Sequence, residues 1–208
     1  MVGEEASVRR KYDRVYQFKI VLEGIEPPIW RRIQVPEIYT FWDLHVAIQD
    51  AMGWLDYHLH AFEITNPATR QRDTIGVPDE DWQDEFPTLA GWQIPIGTYF
   101  SPDNRVTEYL YDFGDSWEHT VMLEKVLPHD RSVRYPICVA GKRRCPPEDC
   151  GGIYGYEELL RVLADPEDEE YETTLTWVGG SYDPEEFDPR QVHFDDPQKR
   201  WRRAFQEG

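Results

Sequence analysis

A run of alternating residues from Tyr109 to Glu124 constrains the fold of this chain more than any other stretch. On two arms, every second side chain is aromatic, aliphatic or imidazole, which is the period of an extended strand with one buried face. These positions are Tyr109, Tyr111, Phe113, Trp117, His119, Val121 and Leu123. Between the arms, residues 112–116 supply the Asp, Gly and Ser that tight turns use. The sequence therefore predicts an aromatic β-hairpin at the core of the fold.

Patterns on either side of the hairpin predict strands first, then a helix, more strands and closing helices. Strands are predicted at 15–23, 29–35 and 58–64, and helices at 41–53, 154–164 and 199–205. Thr40 and Asp43 form a capping box for the first helix, and Gly53 is its expected left-handed end. Arg31 interrupts the apolar face of the second strand, so its guanidinium is expected to reach the sheet edge or a carboxylate. The order of elements predicts an α+β fold with an antiparallel or mixed sheet covered by helices on one side.

The length of 208 residues is enough for one sizeable core, so a single domain is expected. We place that domain at residues 14–195. Residues 1–13 are predicted to form a flexible N-terminal tail, and residues 196–208 a basic C-terminal tail with helical character. Two stretches, 66–95 and 128–152, lack a clear period and are predicted to be connections.

Charge and cysteine content restrict the classes of partner. The chain has 40 acidic and 22 basic residues, for a formal net charge of −18. A surface this acidic repels phosphate backbones, which argues against a nucleic-acid partner. No apolar run approaches the ~20 residues of a membrane span, and the first residues lack the apolar core of a signal peptide. Three cysteines, an odd number, indicate a reducing cytoplasm without a disulfide framework.

Histidines near the hairpin form the first candidate site. His58 and His60 have the spacing of one strand face, and His119 is on the inward face of the hairpin. Such a trio can ligate zinc or iron, with Asp112 or Asp115 as a further ligand or as a base. Hydrogen-bonded core histidines are the alternative, and a metal-free binding cleft is a third interpretation. The cleft is predicted to be lined by Tyr57, His58, His60, Tyr111, Asp112, Asp115, Trp117, His119, Glu148 and Asp149.

Cysteines form the second candidate metal set. Cys138, Cys145 and Cys150 could bind zinc as thiolates, although their spacings lack a CxxC knuckle. Buried, unreactive thiols are the alternative. None of these patterns requires a cofactor, so no cofactor is predicted. If the histidine set or the cysteine set binds a metal, zinc or iron is the expected ion.

Several of these stretches together resemble one protein family. In chain order they read IWRR at 29–32, HLHAF at 58–62, YDFGD at 111–115, CPPEDCGG at 145–152 and FDP at 187–189. They resemble the plasmid pRiA4b ORF-3-like family over residues 15–194, a family also described as insertion-element passenger or resolvase-like proteins. The resemblance implies an α+β roll-like fold, a small cytosolic prokaryotic protein and an association with mobile elements. It implies no established activity.

Three functions from different classes fit these observations. The first is a non-enzymatic binding or adaptor module of mobile-element origin, whose partner is a protein or a small ligand. The second is a metal-dependent hydrolase that uses His58, His60 and His119. The third is an acidic inhibitor that mimics DNA with carboxylates at 79–85 and 165–172.

Overall fold

The computed structural model describes residues 11–78 and 87–206, and this part of the chain folds as an α+β domain. Its strands are β1 (Arg14–Leu22), β2 (Ile29–Pro36), β3 (His60–Thr65), β4 (Arg72–Gly76), β5 (Leu89–Ala90), β6 (Val106–Tyr111), β7 (Trp117–Pro128) and β8 (Ile137–Lys142). Its helices are α1 (Phe41–Met52), α2 (Gly152–Leu163), α3 (Tyr171–Trp177) and α4 (Pro197–Phe205). The acidic run 79–85 and the first ten residues of the predicted N-terminal tail lie outside the described residues.

One mixed sheet contains all eight of these strands, in the order β5-β4-β3-β6-β7-β1-β2-β8. Every neighbouring pair is antiparallel except β4 and β5, which are parallel, and the sheet does not close into a barrel. The predicted α+β class with a mixed sheet is confirmed. The aromatic hairpin is β6–β7, with Tyr111 paired to Trp117 beside the turn.

The core forms between one face of the sheet and α1. The inward side chains of β1 are buried at alternate positions, as the pattern predicted, and they are Tyr16, Phe18, Ile20 and Leu22. The opposite face of the sheet is more polar and carries ion pairs such as Arg32–Glu124. Helix α1 is buried on nearly all sides, because the sheet covers one side and α4 packs against another.

The ends of α1 follow the predicted capping chemistry. Asp43 donates its backbone N–H to the Thr40 hydroxyl, and the Asp43 carboxylate accepts from the Thr40 backbone N–H, which completes the capping box. Gly53 ends the helix at φ 89, in the left-handed region. The last turn of α1 has no basic residue of its own. Arg31 supplies the cation from β2, because its Nε donates to the Ala51 carbonyl at 2.8 Å.

Arg31 therefore does not pair with a carboxylate as one alternative had it. Its side chain is buried, Nη1 donates to the carbonyls of Trp30 and Lys142, and the guanidinium lies 3.8 Å from the centre of the Phe187 ring. A planar cation with several donors can join three carbonyls in this way. Arg31 links β2, α1 and β8 at the edge of the sheet.

Three further differences from the sequence-based prediction concern elements. Strand β3 begins at His60, so the predicted strand start at His58 is wrong. Strands β4 and β8 lie in stretches predicted to be connections. Helix α4 packs on α1, where Trp42 donates from Nε1 to the Pro197 carbonyl at 2.9 Å and its ring lies 5.4 Å from that of Phe205. Among the described residues, none of the helices combines the length and the apolar composition needed to cross a bilayer.

Candidate functional site

One histidine and two carboxylates converge beside the β6–β7 turn. His58 Nε2 lies 3.0 Å from Asp149 Oδ1 and 3.6 Å from Asp112 Oδ2, and the three ligand atoms all lie within 4.8 Å of one another. The Nε2 atom is buried and has no hydrogen-bond partner. Within the described parts of the chain, this is the one group of three such side chains with ligand-like spacing.

Asp112 is positioned by the turn. Its backbone N–H donates to the Leu59 carbonyl at 3.0 Å, and its Oδ1 accepts from the Gly114 N–H at 2.9 Å. These bonds leave Oδ2 facing His58. The residue adopts φ 57, a left-handed conformation that Asp tolerates better than most residues. Only 7 % of Asp112 is exposed, so this carboxylate is nearly buried beside His58.

Asp149 is positioned by the loop before α2. The neighbouring Glu148 accepts the Tyr111 hydroxyl at Oε1 and the Leu55 N–H at Oε2, 3.1 Å away. On the other side, the Gly151 N–H donates to Asp115 Oδ2 at 3.1 Å. The loop is therefore anchored to the hairpin and to the corner before His58. Burial, followed by the hydrogen bond to Glu148, raises the pKa of Tyr111 above its usual value, so this phenol stays a donor.

The predicted set of His58, His60 and His119 is not assembled, which corrects the first metal hypothesis. His60 points into the core and stacks on His45, with ring centres 3.4 Å apart, and His119 is buried with Nδ1 3.2 Å from the Tyr109 carbonyl. The Nε2 atoms of His60 and His119 are each buried without a hydrogen-bond partner. Burial lowers the pKa of His119 to about 4, and burial next to His45 lowers that of His60 well below its usual value. Both are neutral core histidines at pH 7.

The structure shows a second buried polar group that the sequence patterns did not reveal. His45 Nδ1 lies 2.8 Å from the Tyr109 hydroxyl, and its Nε2 lies 2.8 Å from Asp56 Oδ1. Gln49 donates to the same hydroxyl at 2.9 Å. His45 and Gln49 share the α1 face of Phe41, so helical spacing is the one sequence signal that could have placed them in the core.

The three cysteines do not form a metal set either. Cys145 Sγ lies 3.3 Å from Met52 Sδ, while Cys138 contacts the Ala140 carbonyl within β8 and Cys150 contacts the carbonyl of Gly152. All three are free thiols. Burial raises the pKa of Cys145 to about 11 and that of Cys150 to about 12, which opposes the thiolate form that zinc binds. Within the described residues, these thiols do not meet at ligand distance.

The remaining predicted cleft residues divide between floor and rim. Trp117 is fully buried under the site and Tyr111 is its floor, whereas Tyr57 is 71 % exposed beside His58. Leu59 and Phe113, which follow His58 and Asp112, are also exposed. A neighbouring cavity of about 710 Å³ shares Leu55 and Glu148 with this region. The cleft therefore has a polar centre and an exposed apolar rim.

The polar centre has the donor set and spacing of a divalent-cation site. Zinc takes imidazole nitrogen and carboxylate oxygen at ~2.0–2.2 Å, which puts neighbouring ligands of a tetrahedral site about 3.4 Å apart. The distances of 3.0 and 3.6 Å around His58 Nε2 are close to that value. His58, Asp112 and Asp149 could hold such an ion with coordination positions left for a ligand or water.

Comparisons with known proteins agree with the fold and cover most of the chain. The family model described as "Plasmid pRiA4b ORF-3-like protein" matches residues 14–191. The chain is 38% identical over 168 residues to "Uncharacterized protein y4hQ" of Sinorhizobium fredii, a match that covers 80% of this chain and 82% of that protein. It is also similar to the crystal structure of a protein of unknown function, MM3350 from Methanosarcina mazei Go1, with a TM-score of 0.82 and 52% sequence identity. That match covers 88% of this chain and 100% of the other.

Proposed function

This chain belongs to the plasmid pRiA4b ORF-3-like family, and from that premise we propose that it is a metal-dependent binding module. In this proposal His58, Asp112 and Asp149 hold one divalent cation, zinc by preference. The open coordination positions of the ion take a donor group from a small ligand or a protein partner. The exposed side chains of Tyr57, Leu59 and Phe113 contact the rest of that ligand.

The observation that carries the proposal is the convergence of His58 Nε2 with the carboxylates of Asp112 and Asp149. A buried imidazole nitrogen without a hydrogen bond costs free energy unless another group compensates it. Two carboxylate oxygens face this atom within 3.6 Å, and a cation among the three would satisfy all of them. The charges of the two carboxylates would also balance that of a divalent ion, so the occupied site would carry no net charge.

Metal binding is tested by titration of purified protein, stripped with a chelator, with Zn²⁺ and Mn²⁺ in a calorimeter, followed by elemental analysis after dialysis. We expect one ion per chain. His58→Ala and Asp149→Asn should each weaken binding at least about tenfold, since each removes a ligand. His193→Ala, which removes an exposed histidine outside the site, is the matched control and should bind as the wild type does. Lack of saturable binding by the wild type would refute the proposal.

A metal-dependent hydrolase is the second candidate, now with a different ligand set from the one that the sequence suggested. The number of protein ligands supports this candidate. Catalytic zinc sites have three protein ligands and leave one coordination position for water. The zinc-loaded protein would be assayed for release of nitrophenol from 4-nitrophenyl acetate and bis(4-nitrophenyl) phosphate. Turnover that His58→Ala abolishes would favour the hydrolase, and metal binding without turnover would favour the binding module.

The remaining parts of the functional hypothesis belong to the same proposal. A mobile-element origin and a cytoplasmic location fit the family resemblance and the cysteine content. The DNA-mimic inhibitor stays a separate prediction, because five of its eleven carboxylates, those at 79–85, lie outside the described residues. Mimicry would need these carboxylates and those at 165–172 arranged as one stripe, which a binding assay with basic nucleic-acid enzymes would test.

A further inference from the structure

A second cavity, of about 740 Å³, lies at the far end of β7 from the candidate metal site. It is formed where residues 11–13, the loop 129–135 after β7, the segment 36–39 after β2 and the start of α4 meet. The 12 residues of β7 separate it from the hairpin turn by roughly 35 Å. Its volume is in the range of small-molecule sites, which is about 300–1,000 Å³.

Three aromatic rings form one wall of this cavity. Tyr12 stacks on His129 with ring centres 4.3 Å apart and an angle of 21°. Tyr135 meets both rings edge-on, at 6.5 Å from Tyr12 and 5.7 Å from His129. The group is fixed by backbone bonds, because the His129 N–H donates to the Asp13 carbonyl at 2.9 Å. A preformed wall of this kind can stack a planar ring.

Two arginines beside this wall lack the carboxylate partners that eight other arginines of the described residues have. Carboxylates pair with Arg14, Arg32, Arg72, Arg143, Arg144, Arg161, Arg190 and Arg200. Arg131 and Arg134 line the cavity, and neither has an ion pair with any described residue. Lys11 lines the same cavity. Arg70, Arg105, Arg202 and Arg203 also have no ion pair among the described residues, but none of these four lines the cavity.

Two of the three acidic residues that line the cavity are hydrogen-bonded at helix ends. Asp43 accepts from the Thr40 N–H in the capping box, and Asp196 accepts from the N–H groups of Gln198 and Lys199 at the start of α4. Both carboxylates are therefore committed to helix ends. Asp13 is the third acidic residue that lines the cavity. An anionic group would be bound by Arg131 and Arg134.

We propose that this cavity binds a small aromatic anion of the mononucleotide class. The planar base stacks against Tyr12, His129 and Tyr135, and the phosphate is bound by Arg131 and Arg134, whose forked donors match phosphate oxygens. A polynucleotide is not the expected ligand, since a chain of net charge −18 repels an extended phosphate backbone. This site is independent of the metal ion proposed above.

The test is calorimetric titration of the full chain with AMP, GMP, CMP and UMP at low salt. Adenosine, ribose 5-phosphate, inorganic phosphate and a single-stranded oligonucleotide serve as comparison ligands. At least one mononucleotide should bind with one site per chain and at least about tenfold more tightly than its nucleoside or the two phosphates, because both halves of the ligand contribute. The oligonucleotide should bind more weakly than that mononucleotide.

The double variant Arg131→Gln/Arg134→Gln should weaken mononucleotide binding at least about tenfold. Arg202→Gln/Arg203→Gln is the matched control, because it removes two exposed arginines that lie outside the cavity, and it should leave the affinity unchanged. Circular dichroism establishes that both variants fold. Absence of mononucleotide binding, equal binding by the Arg131/Arg134 variant, phosphate binding as tight as that of the nucleotide, or tighter binding of the oligonucleotide would each overturn the proposal.

Discussion

Loss of the Arg31 side chain should lower the stability of the fold strongly, because its guanidinium donates hydrogen bonds to three backbone carbonyls. Arg31→Met keeps the length of the side chain but leaves the Ala51 carbonyl at the end of α1 without this donor. We expect the free energy of unfolding to fall by about 3 kcal/mol, measured by urea denaturation. Unpaired buried carbonyls are the cause, rather than a lost ion pair.

The neighbour of Arg31 in sequence provides the control for that prediction. Arg32 faces the other side of the sheet, where its Nε lies 2.6 Å from a Glu124 oxygen and the pair is partly exposed. Arg32→Met should cost about 1 kcal/mol or less, since solvent screens such pairs. Equal losses of unfolding free energy in the two variants would show that burial of the guanidinium does not determine the cost of removing it.

His119 makes the stability depend on pH in a defined direction. Burial lowers its pKa to about 4 in the folded chain, against about 6.5 in an unfolded one. Between these values the unfolded chain binds a proton that the folded chain does not, so stability is lost as the pH falls from about 6.5 to about 4. The total is about 3 kcal/mol for this residue. Above pH 6.5 and below pH 4 its contribution is constant.

Urea unfolding of His119→Gln at pH 7, 6 and 5 tests that dependence against the wild type. The variant should lose less stability over this interval, because it lacks the group that titrates. His193→Gln, an exposed histidine, should keep the slope of the wild type. The same slope for His119→Gln would contradict a buried, neutral imidazole at this position.

Among individual residues, those with local signals were the ones that sequence could place. Asp112 is predicted as a turn residue by composition, and the structure places it in that turn, with its carboxylate beside His58. His58 was assigned to a strand because the alternation HLHAF extends one period beyond the first residue of β3. His45 had no local signal beyond helical spacing, since its partner Tyr109 lies 64 residues away. Contacts between residues so far apart in the sequence depend on the order of the strands in the sheet. A single sequence does not reveal that order.

At the scale of elements, α4 is a docked helix that should protect α1. Arg200 donates from Nη2 to Asp50 on α1 and to Asp195, at 2.6 Å each, and Asp50 is nearly buried. Arg200→Met should lower the free energy of unfolding by about 2 kcal/mol and speed amide exchange in α4, because the desolvated carboxylate of Asp50 loses its cation and keeps the Asp195 N–H as its donor. Arg203→Met removes an exposed cation from the same helix and should change stability by less than about 0.5 kcal/mol. Similar exchange rates in both variants would mean that α4 is held by its apolar contacts alone.

The loop before α2 can be tested through a glycine. A Cβ at Gly152 would lie 2.6 Å from the Asp115 carbonyl oxygen, at φ 68. Gly152→Ala should therefore cost about 2 kcal/mol and weaken Zn²⁺ binding, because the same loop carries Asp149. Gly180 has φ 89 but open space around its Cα, so Gly180→Ala should cost about 1 kcal/mol and leave the metal affinity unchanged. Calorimetric titration and urea unfolding of both variants measure the two effects.

Elements were predictable where one face is buried and the neighbours are close in sequence. The β6–β7 hairpin, β1, the capped helix α1 and helix α2 all satisfy that condition. Strand β8 does not satisfy that condition. Its segment ICVAGK contains small residues, and it pairs only with β2 at the sheet edge. Strand β4 is five residues long and β5 two, which is too short for a period to emerge.

At the scale of the whole molecule, the excess of carboxylates should make salt stabilising. The chain has 40 acidic and 22 basic residues, so 18 carboxylates have no cation to balance them. Raising NaCl from about 0.1 M to about 1 M shortens the screening length from about 10 Å to about 3 Å. This change weakens both the repulsion among the excess carboxylates and the attraction within the exposed ion pairs. Because exposed pairs contribute little each, relief of repulsion should dominate.

We therefore expect the free energy of unfolding at pH 7 to increase by about 1 kcal/mol or more over this range of salt, measured by urea denaturation. The increase should be smaller near pH 4.5, where carboxylates begin to be protonated and the net charge falls. Salt that acted through apolar burial would stabilise the chain equally at both pH values. A decrease at pH 7 would instead mean that ion pairs such as Arg72–Glu108 and Arg161–Asp168 contribute more to the fold than the excess charge opposes it.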